Sequence, residues 1–206
     1  MRPLPRLHAV TDARVAVLPD LGVRAAAIAA AGPAVALHAR DRALDGDGLS
    51  RLTRRFVALA RPPEAAVFVS GRPDVAAALG ADGVQLAAGD LAPADARRAL
   101  PRGWIGRSVH SGEEGRIAVG EGADFLLAGT IFESSSHPGR PAVGVGLVEQ
   151  LARLGRPVIA IGGVTPGLTG TLREAGAWGV AAISALWDAP DPYARALEFL
   201  ACWSDT

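Results

Sequence analysis

The sequence predicts an α/β protein, a single (β/α)8 TIM barrel with residues 1–206 as one domain. Three observations predict it. Short apolar runs recur eight times along the chain. Most of them are continuous rather than alternating, as in strands of a parallel sheet buried on both faces. Segments rich in Ala, Leu, Arg and Glu lie between them, and no Pro/Gly-rich linker divides the chain. An open doubly wound sheet is the rival architecture; the count of eight favours the barrel.

In order, the strands are read as LHAVT (7–11), AVALH (34–38), AAVFVS (65–70), GVQLA (83–87), WIGRS (104–108), DFLLAG (124–129), PVIAIG (157–162) and WGVAAIS (178–184). Helices are expected around 20–31, 48–60, 73–80, 93–100, 111–120, 145–154, 166–175 and 190–203. GADGVQL (80–86), GADFLLA (122–128) and GAWGVAA (176–182) echo one another. Each reads as a helix ending on glycine, where the left-handed conformation is needed, followed by a turn and a strand.

Composition excludes several function classes. The 21 basic and 21 acidic residues balance, which argues against nucleic acid as the main partner. The single cysteine, Cys202, cannot close an internal disulfide and reads as a half-packed helix residue in a reducing compartment. No apolar run reaches the roughly 18–20 residues a membrane span needs. The expectation is a cytoplasmic protein with no membrane partner.

In such barrels chemistry gathers at the C-terminal strand ends. There the sequence has Thr11 and Asp12, then His38-Ala39-Arg40-Asp41, Ser70-Gly71-Arg72, Gln85 leading to Asp90, and Ser108-Val109-His110. They are followed by Thr130 with the polar loop Glu133 to Arg140, then Gly162-Gly163, and Ser184. Gly162 and Gly163 before the Thr165 helix read as half of a phosphate cup, because backbone N–H groups at a helix start attract anions; Ser184 supplies the other half. The alternative is that the two glycines serve a tight turn and close packing. Arg40, Arg72, Arg107 and Arg140 are candidates for planar contacts to phosphate or carboxylate. The loop at 130–140, with His137, reads as a lid. Asp90 is the one candidate Mg²⁺ carboxylate, since that ion takes one or two carboxylates with substrate oxygens. No GxGxxG, P-loop or Ser-His-Asp pattern is present.

These residues carry a resemblance. LHAVTD, VALHARD, VSGRPDVA, GADGVQL, IGRSVHSGEE, ADFLLAGTIFES, PVIAIGGVTP and GVAAISAL run in register over almost the whole chain. Together they resemble the thiamine-phosphate synthase family, and within it the TenI-like thiazole tautomerases most. The resemblance implies an isomerase of thiamine biosynthesis. It would shift a proton on a thiazole carboxylate phosphate, using no metal or organic cofactor. His110, His137 and His38 are then the acid/base candidates. Gly162, Gly163, Ser184, Arg40, Arg72, Gln85, Ser108 and Thr130 would bind the thiazole phosphate.

Departures from both branches qualify this. Thr130 stands where the tautomerase branch has a histidine. Against the synthase pattern, Gly71 replaces a carboxylate, Arg40 a lysine, and the loop SSSHPGR a Thr/Lys-rich one. The alternatives are a divergent synthase that joins a pyrimidine diphosphate to a thiazole phosphate, with Mg²⁺ on Asp90, and a catalytically silent barrel that binds a phosphorylated metabolite. The resemblance also admits a homodimer.

Overall fold

A computed structural model describes residues 2–41, 43–61, 64–133 and 142–204. Among them eight parallel strands close a barrel in sequence order, from β1 round to β8, which pairs back with β1. The strands are β1 Leu7–Val10, β2 Val35–Ala39, β3 Ala66–Ser70, β4 Gly83–Leu86, β5 Trp104–Val109, β6 Phe125–Ala128, β7 Val158–Ile161 and β8 Gly179–Ala182. Each falls inside or within a residue of its expected run, because both faces of the sheet are covered and the runs are mostly apolar.

The outer layer holds α2 Leu21–Ala29, α3 Gly46–Ala60, α4 Pro73–Leu79, α5 Pro93–Ala99, α6 Gly112–Gly120, α7 Gly146–Ala152, α8 Thr169–Glu174 and α10 Pro192–Leu200. Two short helices were not expected: α1 Ala13–Ala16 and α9 Ser184–Trp187. Four residues carry no readable periodicity. Asp12, Asp45, Ser111 and Asp191 cap their helices by accepting from the N–H of Val15, Gly48, Glu114 and Ala194. Proline begins α4, α5 and α10, where no N–H partner is missed.

The repeated GAD and GAW segments are one αβ-loop device. Gly80, Gly122 and Gly176 all have positive φ. The Asp82 carboxylate then accepts from Val67 N–H, and that of Asp124 from Ile105 N–H, at 2.9 and 2.8 Å. Each aspartate thereby ties its loop to the start of the preceding strand, and each is paired with an arginine, Arg61 or Arg97. In the third copy Trp178 replaces the aspartate; its indole donates to Leu4 O and lies under the Arg6 guanidinium.

Side chains fill the barrel interior: His8, Val10, Ala36, His38, Phe68, Phe125, Leu127, Ile159 and Ala181, with Leu4 beneath. Gly83 and Gly106 admit the two phenylalanines. A Cβ on Gly83 would lie 2.5 Å from Phe68, and one on Gly106 2.2 Å from Phe125. The larger apolar cluster lies between the strands and the helices. No helix among the described residues is long and apolar enough to cross a membrane.

Candidate functional site

The C-terminal ends of the strands open onto one cleft of about 750 Å³. It is lined by His38, Arg40, Arg72, Gln85, Asp90, Ser108, His110, Thr130, Gly162, Gly163 and Ser184. The barrel thus brings eleven sequence-predicted site residues to one cavity. His137, Arg140 and most of the expected lid lie outside the described residues.

The β2 end is built around Thr11. Its hydroxyl sits 2.7 Å from Arg40 O and accepts from Arg40 N–H, which fixes the backbone that carries Arg40 over the cleft. Arg72, after β3, pairs with Asp74 through two contacts of 2.8 and 2.5 Å. That pairing raises the guanidinium's proton affinity and depresses the carboxyl's. Arg107 does not line the cleft, contrary to expectation. It donates to Ala88 O and Leu91 O, bracing the loop that carries Asp90.

Asp90 accepts from Ala87 N–H at 2.7 Å. It faces Gly71, whose φ is +71° and where a Cβ would lie 3.2 Å from both Asp90 carboxylate oxygens. Glycine therefore occupies the position from which a second carboxylate would meet the first. Among the described residues no group of three or more His, Cys, Asp or Glu could hold a metal ion. Asp90 fits Mg²⁺ as one ligand of an ion whose other ligands are substrate oxygens and water.

The Gly162-Gly163 segment meets the turn-and-packing reading. φ is +101° at Gly162 and +63° at Gly163. Any Cβ would meet the β6 loop, at 2.4 Å from Thr130 Cγ2 and 2.3 Å from Glu133 O. Turn geometry and packing alone thus require glycine here. The helix expected directly behind is a 3₁₀ turn, Pro166–Leu168, followed by the six-residue α8. The anion cup therefore lacks the long helix dipole assumed for it. What remains is glycine backbone beside Thr165 and Ser184, all lining the same end of the cleft.

The two predicted histidines among the described residues part company. His110 is exposed at the rim, its Nδ1 3.2 Å from Glu114, whose carboxylate also accepts the His110 N–H. His38 is buried inside the barrel and stacks on Phe68 at 4.9 Å. Its Nε2 lies 2.7 Å from Nδ1 of His8, and His8 Nε2 lies 3.2 Å from Pro5 O. Burial, then the neighbouring His8 and Arg40, hold His38 well below its ordinary value. Burial likewise lowers His8 to about 4, partly opposed by the Pro5 contact. The expectation that His38 shuttles a proton near neutral pH meets a ring kept neutral.

Sequence reasoning missed His8, which reads as an ordinary strand residue, and the cleft wall formed by Leu44, Asp45 and Gly46 at the start of α3. Ser70, Asp41 and Glu133, noted only as strand-end residues, also line it.

A closed (β/α)8 barrel with a polar cleft at its C-terminal rim defines a small-molecule enzyme scaffold. Residues 7–186 match the family described as thiamine monophosphate synthase, and the chain belongs to that family. The thiamine-phosphate synthase of Thermus thermophilus is 45% identical over 151 residues, 71% of this chain and 73% of its own length. That of Salinispora arenicola is 39% identical over 210 residues, covering 98% of this chain and all of its own. Among solved structures, the thiamine phosphate pyrophosphorylase of Pyrococcus furiosus superposes with a TM-score of 0.82 at 29% identity, over 97% of this chain and 96% of that one. These findings overturn the expectation of a thiazole tautomerase. Both relatives carry the synthase name, and the second matches 98% of this chain.

Proposed function

We propose that the chain is a thiamine-phosphate synthase, a transferase that joins a pyrimidine diphosphate to a thiazole phosphate and releases diphosphate. One observation carries the reading: similarity at 39% identity that spans the full length of a curated synthase. The cleft supports it. About 750 Å³ lies toward the upper end of what single small-molecule sites occupy, room for two substrates side by side.

In this reading the carbon that leaves the diphosphate forms its new bond to the thiazole nitrogen. Holding both partners in line turns an encounter in solution into a positioned one. Gly162, Gly163 and Ser184 hold the thiazole phosphate at the β7–β8 end. Arg40 and Arg72, which both line the cleft, face the diphosphate, their planar guanidinium forks suited to its oxygens. Mg²⁺, when bound through Asp90, would offset charge on the departing diphosphate. Gln85 and Ser108, joined by a 3.1 Å hydrogen bond, line the cleft between the two ends. Buried His8 and His38 donate no proton and keep the barrel floor neutral.

The reading is tested by a split in kinetic effects. Asp90→Asn should raise the Mg²⁺ concentration for half-maximal rate and cut kcat/KM for the pyrimidine diphosphate by roughly tenfold or more, as for loss of a charge-assisted contact. Ser184→Ala should raise KM for the thiazole phosphate and leave the Mg²⁺ dependence unchanged. Rates unmoved by either change would contradict the assignment.

A further inference from the structure

Three buried polar atoms on adjacent strands have no hydrogen-bond partner among the described residues: His38 Nδ1 on β2, Ser70 Oγ on β3 and Gln85 Oε1 on β4. All three residues line the cleft. Such atoms are costly unless something bonds them. The chemistry each presents can be derived. Pro5 O only accepts, so His8 Nε2 carries the hydrogen of the 3.2 Å contact. Neutral His8 then has a bare Nδ1, which accepts from His38 Nε2–H across 2.7 Å. His38 Nδ1 is therefore a bare lone pair. Gln85 is fixed by the same reasoning. Its Nε2 donates to Leu86 O at 3.3 Å and to Ser108 Oγ at 3.1 Å, so its free atom is an acceptor oxygen. The Ser70 hydroxyl, paired in register beside Gln85, can adapt to either role.

We propose that His8 is a positioning residue: it locks His38 in the Nε2–H tautomer, so that His38 Nδ1 and Gln85 Oε1 form an acceptor pair that reads the N–H or O–H donors of a ligand ring edge. The tautomer follows from these contacts together with the burial that keeps both rings neutral. That the ring edge belongs to the pyrimidine diphosphate rests on the synthase reading. The order of strands supports that choice. The acceptors sit on β2 and β4, on the side of Arg40 and Asp90, away from the glycine end at β7 and β8. Stacking on Phe68, with His8 packed against Phe68 and Phe125, keeps both imidazoles from turning.

¹⁵N NMR of the imidazoles tests this without any turnover. At pH 7 both His8 and His38 should show a bare Nδ1 and a protonated Nε2. Adding the pyrimidine diphosphate alone should move the His38 Nδ1 resonance; adding the thiazole phosphate alone should not. Kinetics supply the second arm. His8→Leu removes the acceptor and frees the tautomer, and should raise KM for the pyrimidine diphosphate by roughly fivefold to tenfold, about one hydrogen bond's worth. His8→Asn puts an oxygen where Nδ1 was and should restore both the tautomer and KM. An Nδ1–H or doubly protonated His38 in the wild type overturns the proposal, as does a ligand that leaves Nδ1 unmoved. Equal loss in the Leu and Asn variants reduces His8 to a packing residue and overturns it too. If His8→Leu does not fold, the wild-type spectra and His8→Asn still decide. A wild type with the expected tautomer but no synthase turnover would sink the function and leave the relay intact.

Discussion

Acid should weaken this fold earlier than its carboxylates require, and the cause is traceable to His8. The folded ring titrates at about 4, against an ordinary 6.5, because it is fully buried. The unfolded chain therefore takes up a proton that the folded chain refuses. The stability from this group is fully present above pH 6.5 and is lost as the pH falls toward 4. Integrating the difference in bound protons from pH 7 to pH 5 gives a loss of about 2 kcal/mol, growing to about 3 kcal/mol near pH 4. His38, shifted in the same direction for the same reason, adds to it. The assay is urea unfolding at fixed ionic strength at pH 7, 6 and 5, on the wild type and on His8→Asn. The variant lacks the His8 titration but keeps an acceptor for His38. Its stability should fall less with acid, by about 2 kcal/mol at pH 5. The paired carboxylates, Asp74 and Glu113 among them, titrate in both proteins and cancel in the comparison. Parallel pH curves for the two proteins would refute the reasoning.

Two further changes probe the site. Gly106→Ala drives a Cβ to 2.2 Å from Phe125 and 2.3 Å from Gln85 Oε1, so it should cost about 1–3 kcal/mol by overpacking, read as a lower midpoint in thermal melts, and should raise KM for the pyrimidine diphosphate. Gly71→Asp returns a carboxylate opposite Asp90 at a φ of +71°, which aspartate tolerates better than most residues. The metal-free protein should melt lower, and the Mg²⁺ concentration for half-maximal activity should fall; unchanged metal dependence would separate position 71 from the metal.

How much of this was legible in the sequence follows from where each signal lies. The eight strands were readable because burial on both faces leaves runs such as PVIAIG without a polar interruption. The rim was readable because each polar group follows its run directly. The four-residue helices α1 and α9 were not, since they span barely one turn. His8 was hidden because nothing in LHAVT marks a side chain that meets another histidine on the neighbouring strand; only the β1–β2 pairing brings the two together. The Gly162-Gly163 pair was read for its ligand, while the structure adds a packing demand from Thr130 and Glu133 far back along the chain. Function was misread through local departures. Gly71 and Arg40 argue against a synthase one residue at a time, but similarity across the whole chain outweighs them.

The most direct test of the central claim is ³¹P NMR of the purified protein with pyrimidine diphosphate, thiazole phosphate and Mg²⁺. The account predicts that free diphosphate and thiamine phosphate accumulate together in equal amounts, and that chelator stops both. Loss of neither substrate over hours, with both still bound, would contradict it and leave a barrel that holds these phosphates without joining them.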